Sequence, residues 1–135
     1  MSAPLYLDTS AVLRATLESG TTPEIEGAIA AAPVLLTSRL SLVEASRALL
    51  RARTAYRVPE PRLAEVEQDI EALWARCEIW ELAPAVCDAA RVVAPAFGLR
   101  TLDALHLATF FTARRRIPGL AMLTVDDRLR LASGR

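Results

Sequence analysis

Four acidic residues stand where predicted strands and helices begin or end, or beside the apolar face of a helix: Asp8, Glu44, Asp103 and Asp126. Asp8 and Asp126 each follow an apolar run, Glu44 falls inside a long helical pattern, and Asp103 falls at the start of another. A divided set of carboxylates suits a hard divalent cation such as Mg²⁺, which takes oxygen ligands and retains several of its waters. The sequence therefore points to metal-assisted chemistry on phosphates.

Three of these acids also have a purely structural explanation. Aspartate is favoured as an N-terminal helix cap, so Asp8 can cap the helix that follows it, although Thr9 and Ser10 can do so equally well. Asp103 and Asp126 can stabilise the first turn of a helix, where the helix dipole favours negative charge. The Ser10 hydroxyl could also hold a metal-bound water. Both kinds of role are open for these side chains.

Glu44 lies next to the apolar stripe of its predicted helix and not opposite it. A buried glutamate without a partner is costly in free energy and therefore uncommon. An ion pair with Arg47 or Arg51, which lie one or two turns further along, would explain its position. The same arrangement would place two guanidinium groups beside a metal site, where they could bind phosphate through paired hydrogen bonds.

Strands and helices alternate along the chain, as hydrophobic periodicity and turn residues indicate. The predicted strands are Leu5–Leu7, Val34–Thr37, Ile79–Leu82 and Leu120–Val125. The predicted helices run from about Ser10 to Leu17, Glu24 to Ala32, Ser38 or Ser41 to Ala55, Arg62 to Arg76, Pro84 to Phe97, Leu102 to Ala113, and onward from Asp126 or Asp127. This alternation predicts an α/β fold with a mainly parallel sheet covered by helices on both faces. Ligands of such sheets bind beyond the carboxyl ends of the strands, where Asp8 and Asp126 lie.

Two of the predicted helices depend on particular residues. The helix that carries Glu44 has an apolar stripe formed by Leu40, Val43 and Leu50. The helix from Pro84 to Phe97 has Gly98 as a candidate C-terminal cap, but Pro95 would have to occupy a frayed or kinked last turn.

Composition places the chain among compact globular proteins. Of its 135 residues, 53% are hydrophobic and 24% charged, which suits one domain over residues 1–135 with a core that needs no disulfide. Cys77 and Cys87 lack metal-site spacing, so a reducing cytoplasm is expected. Neither a signal peptide nor a membrane span is expected. The net charge is zero, so nucleic-acid binding would depend on local arginine clusters and on the metal.

Four segments spread along nearly the whole chain carry a family resemblance: Tyr6–Ala11 (YLDTSA), Ser41–Ala45 (SLVEA), Leu99–Ala108 (LRTLDALHLA) and Leu123–Asp126 (LTVD). The third segment is the most specific, and the others occur in the family's order. The chain resembles the PIN-domain ribonucleases and, within them, the VapC-type toxins of toxin–antitoxin pairs. The resemblance implies a PIN-like three-layer sandwich with a short, mainly parallel sheet.

The resemblance also implies roles for individual residues. Asp8, Glu44, Asp103 and Asp126 would form the metal-binding and catalytic quartet, and the supporting hydroxyls would come from Ser10 and Thr124. Asp127 departs from the family pattern, because it adds an acid beside the fourth position that could replace or assist Asp126.

The implied activity is that of a Mg²⁺- or Mn²⁺-dependent endoribonuclease, the toxin of a type II toxin–antitoxin pair. One or two ions, about 3.5–4 Å apart if paired, would polarise the phosphodiester and activate water. The products would carry 5′-phosphate and 3′-hydroxyl ends. The implied partners are RNA, a small VapB-type antitoxin and a second copy of the chain. The alternative is a PIN-like module that binds RNA or protein without cutting, although the presence of all four acids argues against it.

Two arginine clusters are candidates for contacts with RNA. The first cluster consists of Arg47, Arg51, Arg53, Tyr56 and Arg57. Its arginines could contact phosphates and its one aromatic could stack on a base, which would suit single-stranded or looped RNA. Arg114–Arg116 ends a helix, where solvated cations are equally expected because of the helix dipole. Phe110 and Phe111 lie on adjacent faces of that helix, which would leave one of them free for a homodimer contact.

Other enzymes with an acid after the first strand fit less well. Receiver domains and haloacid-dehalogenase-like phosphatases carry a lysine at the phosphoryl site, and this chain contains no lysine. The dehalogenase pattern also requires an acid where Ser10 stands. A P-loop enzyme would need glycines and a lysine that are absent. His106 is the only histidine, which excludes a ribonuclease with paired histidines, and it is expected to be a packing residue hydrogen-bonded to a neighbour.

Overall fold

The computed structural model describes residues 2–134, and in this part of the chain four strands form a sheet in which every neighbouring pair is parallel. The strands are β1 (Leu5–Leu7), β2 (Leu35–Ser38), β3 (Cys77–Trp80) and β4 (Ala121–Leu123). Their spatial order is β3-β2-β1-β4, so the strand that leads to Asp8 lies inside the sheet, next to the strand that leads to Asp126. The predicted α/β class and parallel sheet are confirmed.

The connections between strands are helical. The α-helices of the described residues are α1 (Thr9–Ala15), α2 (Pro23–Ala31), α3 (Arg39–Thr54), α4 (Glu60–Arg76), α5 (Pro84–Ala90), α6 (Thr101–Arg116) and α7 (Asp127–Ser133). Helix α2 begins one residue before the predicted start, at Pro23, because the missing N–H of proline has no partner to lose in the first turn.

The helices lie on both faces of the sheet because side chains alternate along each strand. Leu7 packs into a core formed with α1, α2, α3 and α4, whereas Tyr6 packs into a second core formed with α6 and α7. Leu35 and Leu36 of β2 are divided between the two cores in the same way. The predicted three-layer arrangement is therefore confirmed.

The long helix predicted from Pro84 to Phe97 is wrong. Helix α5 ends at Ala90, and Pro95–Phe97 form a separate 3-10 turn after Ala94, which has a positive φ of 44°. Proline lacks the N–H that a helix interior requires, and it disfavours a helical residue before it. Pro95 therefore starts a new turn.

The apolar stripe predicted for α3 is also wrong in part. Val43 is 57% exposed and Leu50 43% exposed, whereas the buried residues of α3 are Leu40, Ser41, Ala45, Ala48 and Leu49. The buried face thus consists largely of small side chains. It directly flanks Glu44, whose side chain is 24% exposed.

The predicted strand ends shift by a few residues. Strand β3 begins immediately after α4, at Cys77, because that residue pairs with Leu35 at the start of β2. Strand β4 is shorter than predicted, since it pairs only with the three residues of β1. Both cysteines are free thiols, as expected. Within residues 2–134 there is no helix with the length and apolar character needed to cross a membrane.

Candidate active site

Asp8 stands at the carboxyl end of β1 and is almost fully buried, with 4% of its surface exposed. Its Oδ1 accepts hydrogen bonds from the Ala11 N–H at 3.0 Å and from the Ser10 hydroxyl at 2.7 Å. Its Oδ2 accepts a hydrogen bond of 2.7 Å from the Thr124 hydroxyl. Asp8 therefore caps α1, and Ser10 and Thr124, the two predicted supporting side chains, contact it directly.

The same hydroxyls join the end of β4 to the start of α1. The Ser10 and Thr124 hydroxyl oxygens lie 3.2 Å apart, and Ser10 Oγ accepts a 3.1 Å hydrogen bond from the Val125 N–H. The Asp126 N–H donates to Thr124 Oγ1 at 3.0 Å, while Asp126 Oδ1 caps α7 by accepting from the Leu129 N–H at 2.7 Å. The position of Asp126 is thus set by the residues that hold Asp8.

Glu44 has partners that the sequence did not reveal. Its Oε1 accepts hydrogen bonds of 2.7 Å from the Thr9 hydroxyl and 2.7 Å from His106 Nε2. The alternative explanation for Glu44, an ion pair with Arg47 or Arg51, is not found among the described residues, because α3 turns this carboxylate towards α1 and α6. Within residues 2–134, Oε2 of Glu44 has no hydrogen-bond partner.

The environment of Glu44 favours its ionised form. Burial acts to raise the pKa of this carboxyl, but the hydrogen bonds from His106 and Thr9 outweigh it, with smaller electrostatic contributions from His106 and Arg51. The net effect is a pKa below the ordinary value. Glu44 is therefore a carboxylate near neutral pH.

Asp103 and Asp126 line a cavity of about 450 Å³ together with Arg100, Asp127 and Arg128. The pKa of Asp103 is raised, first by burial and then by the negative charge of Asp126, against an opposing effect of His106; Asp8 and Glu44 raise it further. All four predicted acids are thus close enough to influence one another's charge. They come from four separate segments that the fold brings to one end of the sheet.

A family model matches nearly the whole of this sequence. The family model described as the PIN domain matches residues 5–134. The chain belongs to the PIN domain family. The match extends over all four acidic positions and both supporting hydroxyls, so the family resemblance predicted from the four segments is confirmed.

Curated relatives of this PIN domain come from two strains of Mycobacterium tuberculosis. Ribonuclease VapC45 and Ribonuclease VapC49 are each 37% identical to it over 94 residues. The alignment covers 70% of this chain and 64% of each relative, so the chain spans less than two thirds of the length of the curated relatives it matches.

Solved structures share the fold at lower identity. PAE2754 from Pyrobaculum aerophilum has a TM-score of 0.67 and 21% identity, over 98% of this chain and 81% of that protein. A toxin–antitoxin complex from Klebsiella pneumoniae contains a chain with a TM-score of 0.63 and 20% identity, over 90% of this chain and 86% of that one. At such identities the likeness establishes the fold alone.

The donor chemistry of the PIN domain's acidic site fits a hard divalent cation. Carboxylate oxygens are the preferred ligands of Mg²⁺ and Mn²⁺. Burial and then the negative charges of the neighbouring acids raise the pKa of Asp103, and a cation would relieve the second of these effects. Among residues 2–134, no three His, Cys, Asp or Glu side chains already converge as a metal-binding group. Both oxygens of Asp8 and one oxygen of Glu44 have hydrogen-bond partners within the protein.

Asp127 differs from Asp126 in its surroundings. Its side chain is 87% exposed and forms an ion pair with Arg130, which also donates to the Thr124 carbonyl at 3.0 Å. Asp126 instead connects to the Ser10–Thr124 network through its backbone and caps α7. The structure therefore separates the two neighbouring acids: Asp126 belongs to the network around Asp8, and Asp127 lies at the rim of the cavity.

The first arginine cluster is divided by its ion pairs. Arg53 is held by Glu60 and Glu67, with N–O distances of 2.9 and 2.8 Å. Arg47 and Arg51 are exposed, and the charge of Arg51 lowers the pKa of Glu44. Arg51 is thus the member of the cluster with an electrostatic link to the acidic site.

The second cluster is largely structural. The guanidinium of Arg114 lies 5.1 Å from the ring centre of Phe110 and 4.7 Å from that of Phe111, and Arg116 lies 5.7 Å from the Trp80 ring. Phe110 is only 2% exposed, and Phe111 is half-buried. Neither phenylalanine is fully exposed, because Phe110 lies in the core and Arg114 covers the ring of Phe111, and a dimer contact at this helix stays a prediction.

Sequence reasoning missed two sets of residues at the site. Arg100 and Arg128 line the cavity beside Asp103 and Asp126, but they lie outside the arginine clusters in sequence. Tyr6 and His106 form a buried hydrogen-bonded pair behind Glu44. The sequence predicted only that His106 packs and is hydrogen-bonded to a neighbour, which these contacts confirm, and it did not identify Tyr6 or Glu44 as the partners.

Proposed function

We propose that this PIN domain is a metal-dependent endoribonuclease and the toxin of a type II toxin–antitoxin pair. The observation that carries the proposal is the influence of Asp126, Asp8 and Glu44 on the charge of Asp103. Four acids from distant segments are assembled at one end of the sheet, in a family whose curated relatives include proteins named ribonucleases.

Each acidic residue has a distinct part in the proposed site. Asp8 is buried and fixed by Ser10 and Thr124. Glu44 is held through one oxygen by Thr9 and His106. Asp103, whose oxygens accept no hydrogen bond within residues 2–134, and Asp126 face the cavity. A bound Mg²⁺ or Mn²⁺ would supply Lewis-acid activation of the phosphate and a hydroxide from water.

The arginines at the cavity provide the complementary charge for RNA. Arg100 and Arg128 line the same cavity as Asp103 and Asp126, and we expect their guanidinium groups to contact phosphates of bound RNA. Such contacts position the nucleic-acid backbone without reading its sequence. With metal-activated water as nucleophile, we expect products with 5′-phosphate and 3′-hydroxyl ends.

The proposed partner is a small VapB-type antitoxin. Support comes from the similarity to proteins named VapC and from the fold shared with a chain of a toxin–antitoxin complex. A basic antitoxin side chain placed in the acidic cavity would inhibit by charge and occlusion. Full nuclease activity in a stoichiometric complex would exclude this mode of inhibition. A homodimer is proposed from the family resemblance, with light scattering as its test.

The decisive experiment is cleavage of total RNA by the purified chain with Mg²⁺ or Mn²⁺, with and without EDTA, followed by mapping of fragment ends. Asp103→Asn tests the site, and Asp88→Asn is the matched control, because Asp88 is 76% exposed on α5. Metal-dependent cuts with 5′-phosphate ends that disappear only in Asp103→Asn would support the proposal. RNA binding that persists in EDTA without any cutting would favour a catalytically silent binding module.

A further inference from the structure

A buried chain of hydrogen bonds connects the core to Glu44. The Tyr6 hydroxyl lies 2.8 Å from His106 Nδ1, and His106 Nε2 lies 2.7 Å from Glu44 Oε1. Tyr6 is fully buried and His106 is 2% exposed. The three side chains come from β1, α6 and α3, so the connection crosses from one layer of the fold to the acidic site.

The chemistry of the two ends determines where the imidazole hydrogen lies. Glu44 Oε1 accepts a hydrogen bond from the Thr9 hydroxyl at 2.7 Å and lies 2.7 Å from His106 Nε2, so this carboxylate oxygen acts as an acceptor towards both side chains. His106 Nε2 must therefore carry a hydrogen. At the other end of the ring, the Tyr6 hydroxyl lies 2.8 Å from Nδ1, and a phenol has a hydrogen of its own to donate. It can donate this hydrogen to Nδ1 of a neutral imidazole.

We propose that His106 is a positioning residue for the acidic site: oriented by Tyr6, its Nε2–H holds Oε1 of Glu44 and thereby leaves Oε2 directed to a divalent cation. This inference rests on the proposed function. His106 itself touches neither the substrate nor the metal in this arrangement. It acts through the Glu44 carboxylate, as residues behind a metal ligand commonly do.

His106 makes more polar contacts than a side chain that only fills space in the core would need. Both ring nitrogens of His106 have partners, and the only buried side-chain nitrogen or oxygen without one among the described residues is Trp80 Nε1. A leucine in place of His106 would fill similar space against its apolar neighbours. It would leave Glu44 with one side-chain donor, Thr9, and leave the Tyr6 hydroxyl without its imidazole partner.

The first test is the tautomer of the imidazole. His106 is the only histidine in the chain, so a long-range ¹H–¹⁵N correlation spectrum of the uniformly labelled protein contains a single imidazole pattern. The pattern of a hydrogen fixed on Nε2, in metal-free protein and with Mg²⁺, supports the proposal. A hydrogen on Nδ1 alone would overturn it, because Nε2 could then not donate to Glu44.

The second test is Mn²⁺ binding, measured by calorimetry or by electron paramagnetic resonance. His106→Gln retains an amide N–H donor for Glu44, whereas His106→Leu removes it. We expect His106→Leu to bind Mn²⁺ about 10- to 100-fold more weakly, as is typical when the residue that supports a metal ligand is removed. His106→Gln should recover most of the affinity. Equal affinities in unaltered protein and His106→Leu, or no recovery in His106→Gln, would overturn the positioning role.

Tyr6→Phe tests the positioning role even if His106→Leu does not fold. The substitution removes one hydroxyl and leaves the ring, His106 and Glu44 in place. Its expected effect on Mn²⁺ affinity is about two- to tenfold weakening, the range for one hydrogen bond. Unchanged Mn²⁺ affinity in Tyr6→Phe would show that the Tyr6 hydroxyl does not orient His106 for metal binding.

The outcomes separate this inference from the proposed function. Unaltered protein that binds no Mn²⁺ would overturn both the metal-dependent function and the positioning role, even with the hydrogen fixed on Nε2. Normal Mn²⁺ binding in a folded His106→Leu variant would overturn the positioning role alone. In that case metal-dependent cleavage by the unaltered chain would still stand.

Discussion

Asp103 in α6 and Asp126 at the start of α7 line the same cavity, and the negative charge of Asp126 is, after burial, the main influence that raises the pKa of Asp103. The fold thus holds together acids that repel one another. Like charges at close range are unfavourable until a cation neutralises them. This repulsion therefore lowers the stability of the metal-free native state.

Asp103→Asn should stabilise the metal-free protein at neutral pH. A raised pKa means that the native state binds the Asp103 proton more tightly than the unfolded chain does, so ionisation destabilises the native state. With solvent screening of this half-exposed group, we expect a gain of about 0.5 kcal/mol, or about 1–3 °C in Tm.

The gain should depend on pH. The penalty on Asp103 is absent below the pKa of the unfolded chain, about 3.9, and is fully present above the raised native pKa. Thermal unfolding across this range should therefore show the advantage of Asp103→Asn disappearing towards about pH 4. An advantage of equal size at all pH values, or one shared by Asp88→Asn, would contradict the explanation.

Cation binding should weaken as the pH falls through the raised pKa of Asp103. A carboxylate must lose its proton to become a ligand, and Asp103 retains its proton to higher pH than an ordinary aspartate. Glu44 should not limit binding, because its pKa is lowered. Mn²⁺ titrations from about pH 4 to pH 8 would measure this dependence. Affinity that is constant over the whole range would show that Asp103 is not a ligand.

The α/β class and the parallel sheet could be predicted from the sequence, because the apolar runs and turn residues that indicate strands and helices are local features. Apolar runs marked every strand to within a few residues, and Pro23 marked the start of α2, whereas the break between α5 and Pro95 was not predicted. The errors arose where tertiary packing decides. Val43 and Leu50 are apolar yet exposed, while Ser41 and the small residues Ala45 and Ala48 are buried, because close packing favours small side chains on that face of α3.

The acidic positions could be proposed from the sequence, but their partners could not. Glu44 and His106 are 62 residues apart, and Thr124 and Asp8 are 116 residues apart. Such pairs form only once the strands take their order in the sheet. An intrahelical pair between Glu44 and Arg47 or Arg51 was the natural local expectation, and the long-range partners Thr9 and His106 replaced it.

Thr124→Val should destabilise the fold although it preserves the shape of the side chain. The hydroxyl that it removes donates to Asp8 Oδ2 and accepts from the Asp126 N–H in a buried setting. Leaving such groups unsatisfied costs about 1–3 kcal/mol. Thr112→Val is the matched control, since its hydroxyl only donates to the Ala108 carbonyl within α6. Denaturant unfolding should show a clear loss of stability for the first variant only, and equal losses would refute the role assigned to Thr124.

Arg51→Ala and Arg100→Ala should weaken RNA binding with little effect on the rate of the chemical step. Arg51 influences the charge of Glu44, and Arg100 lines the acidic cavity. Removing one arginine–phosphate interaction with a single strand should reduce the slope of log affinity against log salt by about 0.7. Arg91→Ala is the control, because Arg91 is 80% exposed just after the end of α5. Binding curves at several salt concentrations would decide, and an equal effect of Arg91→Ala would indicate non-specific attraction only.

Asp126→Asn should strongly reduce cleavage and Asp127→Asn should not, although the two residues are adjacent. The amide introduced by Asp126→Asn would retain an oxygen that caps α7 but would remove a negative charge from the cavity, so cleavage should fall on the order of 100-fold while the fold is kept. Asp127→Asn breaks only an exposed ion pair with Arg130, which is worth about 0–1 kcal/mol.

The same two variants give a readout that does not depend on cleavage. Because the charge of Asp126 helps to raise the pKa of Asp103, Asp126→Asn should shift the pKa of Asp103 towards its ordinary value, and Asp127→Asn should leave it nearly unchanged. Carboxyl ¹³C chemical shifts followed through a pH titration would measure both effects. If Asp127→Asn lowered cleavage and the pKa of Asp103 as much as Asp126→Asn, the second acid would have to be counted as part of the site.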